Sequence, residues 1–108
     1  TDLHNISEKS NNKYINMDLD YTFNDPNDPN RFYYRSDHYN FAKKGIPSIF
    51  YFSGVHEDYH KHTDTMEKLV YEKVEKTAKL IFYTAWELSN AEKRPRVDKE
   101  NEFKLNRY

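Results

Sequence analysis

The run Ile46-Pro47-Ser48-Ile49-Phe50-Tyr51-Phe52 limits the possible folds more than any other stretch of this sequence. It is apolar at successive positions, so as a strand it would present apolar side chains on both faces. Such a strand belongs inside a parallel sheet with further layers above and below. Pro47 falls at its entrance, where a missing amide is tolerated. Every backbone N–H and C=O in it needs a partner, so neighbouring strands are required. Only Met17–Phe23 reads as another strand, with Met17, Leu19, Tyr21 and Phe23 alternating against Asp18, Asp20 and Thr22. The expected architecture is therefore part of an α/β fold, with the rest of its sheet in upstream sequence.

The surest helix runs from about Thr65 to Asn90. Val70, Val74, Ala78, Ile81, Ala85 and Leu88 recur at steps of three and four and form one apolar stripe. Asp64 and Glu67 resemble a capping box at its start. Leu3 to Tyr14 has weaker helical character, with the helix ended by Asn11-Asn12. Asn24-Asp25-Pro26-Asn27-Asp28-Pro29-Asn30 is a loop by its turn formers. His38 to Lys44 makes two helical turns closed by Gly45. Residues 1–92 read as one unit, and 93–108 as a charged tail.

Length and composition narrow the function. The chain has 108 residues, 17 basic and 18 acidic, with a formal net charge of -1. That balance gives no basic face for nucleic acid. No apolar run is long enough to cross a membrane. With no cysteine, disulfides and thiolate metal sites are excluded. The N-terminus Thr1-Asp2-Leu3-His4 shows neither a signal peptide nor an initiator methionine, as expected of a piece cut from a longer protein.

Beyond the strand lies Gly54-Val55-His56-Glu57-Asp58-Tyr59-His60-Lys61-His62-Thr63-Asp64-Thr65, with three histidines and three acids. Ligands and metals gather beyond the carboxyl ends of strands in open α/β sheets, so a metal site is the leading reading. His56-Glu57-Asp58-Tyr59-His60 fits H-E-x-x-H, the zinc signature of helical metalloproteases. That chemistry needs both histidines on one helix face, yet this stretch comes directly after a strand and lacks helical apolar periodicity.

A larger block fits better. Arg35-Ser36-Asp37-His38, Phe41, Gly45-Ile46-Pro47, a strand, then Tyr59-His60 and Asp64-Thr65 before a long helix resembles the C-terminal part of zinc-dependent aminopeptidases, metallopeptidase family 28. The resemblance covers about Tyr33 to Asn90 and implies a three-layer α/β/α sandwich with a mixed, mainly parallel sheet. It implies His60 as a zinc ligand and Tyr59 as a catalytic donor to the oxyanion. Asp64 would orient His60 or cap the helix, while Arg35 and Asp37 would face substrate or fix the loop. Glutaminyl cyclases share that fold but usually carry tryptophan before the histidine, so Tyr59 favours a peptidase. Related sequences often have proline where His62 stands. The family's remaining ligands are a histidine, a bridging aspartate, a Glu-Glu pair and another acid. None is assignable here; Asp18, in Ile15-Asn16-Met17-Asp18, has a plain strand explanation.

The expectation is thus the C-terminal segment of a secreted or periplasmic metallo-aminopeptidase. Two zincs in the parent would activate water against an N-terminal peptide bond, and the segment alone would be inactive. Two alternatives remain: a zincin-like protease using His56, Glu57 and His60, or a non-catalytic module with an aromatic interface at Phe32–Tyr34 and Tyr39. The isolated segment, with apolar faces uncovered, would pair as a homodimer.

Overall fold

Leu3, Ser7 and Ser10 recur at steps of four and three, so on a helix they share one face. In the computed structural model, which describes residues 2–97, they do so and are buried. Three α-helices form: α1 (Asp2–Ser10), α2 (His38–Ala42) and α3 (Tyr71–Ser89). The principal packing is α1 on α3, with Leu3, Ser7 and Ser10 meeting the face of α3 that carries Leu80 and Thr84. Small hydroxylated residues let the helices approach closely, and local bonds satisfy their oxygens. Ser10 Oγ donates to the Ile6 carbonyl at 2.8 Å and Thr84 Oγ1 to the Leu80 carbonyl at 2.7 Å.

The first helix does not simply stop at Asn11. It continues as a π-helical turn, Asn11–Ile15, whose end is marked by Asn16 in the left-handed region at φ 61°. The buried Asn11 side chain explains the ending: its amide donates to the Met17 carbonyl (2.7 Å) and its oxygen accepts from Met17 N–H (2.8 Å). Tyr14 on this turn stacks against Tyr83 of α3 at 4.0 Å and donates to Glu87 at 2.7 Å. At the far end of the described chain, Asp2 accepts from both the backbone N–H and the guanidinium of Arg96. Arg96 belongs to the charged tail read from the sequence as 93–108, of which the part from 98 onward lies outside the described residues.

The expected α/β/α sandwich is not what the chain builds. Among the described residues the regular structure is helical, and no strand is present. A strand exists only where another backbone pairs with it, and nothing in residues 2–97 pairs with Ile46–Phe52. That segment takes no regular structure, yet its side chains alternate: Tyr51 reaches α1 and α3, whereas Phe50 and Phe52 join an aromatic cluster. Met17–Phe23 fails as a strand for a local reason. Asp20 accepts hydrogen bonds from the Thr22 N–H and hydroxyl, bending the chain into a 3-10 turn at Thr22–Asn24.

The long helix forms, but later than its stripe implied. Thr65 leads into a 3-10 turn, Met66–Lys68, and α3 starts at Tyr71 after an extended Val70. Asp64 therefore does not cap it. The packed face also differs from the stripe. Leu80 and Thr84 are the buried positions, whereas Val70, Val74 and Ile81 stay exposed, as do Tyr71, Phe82 and Trp86 beside them. A helix apolar around more than half its circumference is built to be covered on more than one side, and α1 covers one.

Candidate metal-ligand loop

Two glycines set up the site. Gly45, at φ 75°, turns the chain out of α2, with the Gly45 and Ile46 amides donating back to the Ala42 and Phe41 carbonyls. Gly54, at φ 89°, turns it out of the apolar segment. From there the backbone winds through a series of tight turns: Tyr59 N–H donates to the His56 carbonyl (3.0 Å), Lys61 N–H to Asp58 (2.9 Å) and Asp64 N–H to Lys61 (3.1 Å).

His60 occupies the left-handed region at φ 59°. Histidine visits this region more readily than bulky residues do, yet it still costs on the order of 1–3 kcal/mol and such strain clusters at functional sites. Its ring is exposed and stacks on Tyr59, with centroids 4.1 Å apart. Tyr59 in turn meets Phe52 edge-on at 6.5 Å and His56 at 6.2 Å. His56 and His60 thus sit on turns, and a positive φ at His60 is incompatible with the single helix that H-E-x-x-H chemistry requires.

The acids around His60 have defined partners. Asp58 lies 2.9 Å from Lys68 Nζ. A hydrogen bond from the Thr63 hydroxyl, then the one from Lys68, hold the Asp58 carboxyl below the usual aspartate range. Asp64 Oδ2 is 3.9 Å from His56 Nε2, while His56 Nδ1 accepts the Asp58 N–H at 3.2 Å. The partner of Asp64 is thus His56, and no bond joins it to His60.

Arg35 and Asp37 lie on the preceding loop. Arg35 is exposed; it donates to the Asn30 carbonyl at 3.4 Å and covers the Phe32 ring at 5.2 Å. Asp37 precedes α2 without a side-chain capping bond. The link between this loop and His60 is aromatic. His38 stacks on Phe50 (4.5 Å), Phe50 on Phe52 (5.0 Å), and Phe52 meets Tyr59. Both nitrogens of His38 are buried without a well-formed hydrogen bond among the described residues. Burial drives its pKa down, against weaker upward pulls from the Tyr33 carbonyl and Asp37. Sequence reasoning gives His38 only the start of a helix, and Asp58 only a place among the loop's three acids. The spacing of Asp58 from Lys68 carries no signal, because turns bring them together.

Zinc binding needs a convergent donor set, usually of four ligands. Among the described residues, no group of three or more histidine, aspartate or glutamate side chains is placed to hold a metal ion. This chain by itself does not fit a zinc site; it offers His60 on a turn, with aromatic rings behind it.

The chain belongs to peptidase family M28, whose family model matches residues 2–85. No curated protein and no solved structure matches it. Family membership makes the parent a hydrolase of the metallopeptidase kind, acting on peptides. The family is generally zinc-dependent.

Proposed function

We propose that this chain is the His60-bearing segment of a zinc-dependent aminopeptidase that removes residues from the free N-terminus of peptides. The observation that carries this reading is the family match across residues 2–85 together with the display of Tyr59-His60 on a strained, exposed turn. His60 is the metal ligand contributed by this chain, and Tyr59 is the donor to the developing oxyanion. A well-placed donor of that kind contributes about 2.7–4 kcal/mol to a transition state. The remaining ligands and the general base belong to sequence outside this chain, and the parent works in the periplasm or outside the cell, a placement that rests on resemblance alone.

The donor count sets the test. The purified 108-residue chain, supplied with zinc, will not release N-terminal residues from peptides. Sustained zinc-dependent turnover by it would overturn the reading.

A second property is favoured by the exposed Val74, Ile81, Phe82 and Trp86 of α3 and Val70 just before it. As an isolated segment the chain pairs with another copy through this face. Sedimentation showing a monomer at tens of micromolar concentration would contradict that.

A further inference from the structure

The strained residue of the loop is enclosed by a polar clasp. Asp58 precedes His60 by two positions; Lys68 comes after it. The Asp58 carboxylate lies 2.9 Å from Lys68 Nζ, so the chain before His60 is tied to the chain after it through one side chain. Asp58 is itself fixed from behind by its N–H bond to His56 Nδ1 at 3.2 Å, and its carbonyl receives Lys61 N–H at 2.9 Å. Lys68 closes the 3-10 turn that leads toward α3, so the clasp anchors the loop to that lead-in.

We infer that Asp58 is a positioning residue: by gripping Lys68 across the turn, it holds His60 in its left-handed backbone conformation and so aims the imidazole. This rests on the reading of His60 as the functional residue, and adds a residue that the reading did not use. An exposed lysine–aspartate pair alone contributes little. Two features set this one apart: the Asp58 side chain is only 15% exposed, and the turn it closes contains the strained residue.

The test reads backbone conformation in the full 108-residue chain, with no metal and no substrate. A residue with positive φ gives an intense intraresidue amide–Hα NOE. His60 will show one in the wild type. Asp58→Asn will weaken it at least twofold, as will Lys68→Met, while NOEs between α1 and α3 keep their intensity. The exchange Asp58→Lys with Lys68→Asp will restore it. An undiminished His60 NOE in Asp58→Asn overturns the inference. So does a loss at His60 accompanied by equal loss across the α1–α3 contact, since that is general destabilisation. Neither result bears on whether His60 binds metal, which is read separately by metal content and turnover of the parent.

Discussion

The Tyr51 hydroxyl lies 3.0 Å from Ser7 Oγ, joining the apolar segment to α1. It also donates to Thr84 Oγ1 at 3.3 Å, and the Thr84 hydroxyl donates to the Leu80 carbonyl. With Ser7 donating to Tyr51, each hydroxyl donates once, and three segments far apart in sequence are held at one point. Tyr51→Phe removes the centre of this relay and leaves Ser7 and Thr84 facing each other at 3.4 Å. The expected cost is about 1 kcal/mol, read as a lower urea midpoint. An unchanged midpoint would show that the relay adds nothing.

The two faces of α3 should respond differently. Leu80 is 1% exposed and sits against α1, so Leu80→Ala is expected to cost about 2–5 kcal/mol. Val74 is 49% exposed, and Val74→Lys should change the stability of the monomer by under about 0.5 kcal/mol. Urea titrations of the two variants check this. Equal losses would mean that the stripe read from the sequence is the packed face after all.

His38 predicts a pH dependence. Burial lowers its folded-state pKa below the ordinary histidine value, so the folded chain binds fewer protons than the unfolded chain once pH drops below about 6.5. Stability is then full above that value and declines as pH falls toward the depressed folded-state pKa. His38→Phe keeps the stack on Phe50 and removes two buried nitrogens that lack well-formed bonds. It should flatten the profile between about pH 7 and 5 and match or exceed wild-type stability. A slope in that window as steep as the wild type's would place the titrating group elsewhere.

Asp58 titrates with the opposite origin but the same sign. Bonds from Thr63 and Lys68 depress its pKa, so its contribution is present above about pH 4 and disappears as pH falls through the lowered value. Tracking Lys68 and Thr63 resonances from pH 5 to 2 should show the clasp opening below the ordinary aspartate range. Opening already complete at pH 5 would contradict this.

How much of the structure is legible in the sequence depends on how local each cause is. The existence of α3 is legible because its apolar period runs through the whole segment. Its packed face is not, since Thr77, Leu80 and Thr84 compete with the Val–Ile–Ala stripe and only tertiary contact with α1 decides. Ile46–Phe52 reads wrongly as part of a sheet, because propensity acts within a segment and a ladder needs a second one. The π turn at Asn11 depends on a side-chain clamp to Met17, six residues on, which no periodicity announces. The resemblance is legible at Arg35-Ser36-Asp37-His38 and Tyr59-His60, and the family model matches the wider span of residues 2–85.

The most direct test compares two substitutions in the longer protein that contains this chain, reading metal content and aminopeptidase turnover together. His60→Ala is expected to lose bound zinc and to reduce turnover at least a hundredfold, while Glu57→Gln keeps both within about threefold, judged against the 10–100-fold that even supporting residues of metal sites cost. A Glu57→Gln protein that is inactive, beside a His60→Ala protein that keeps its metal, would contradict the account.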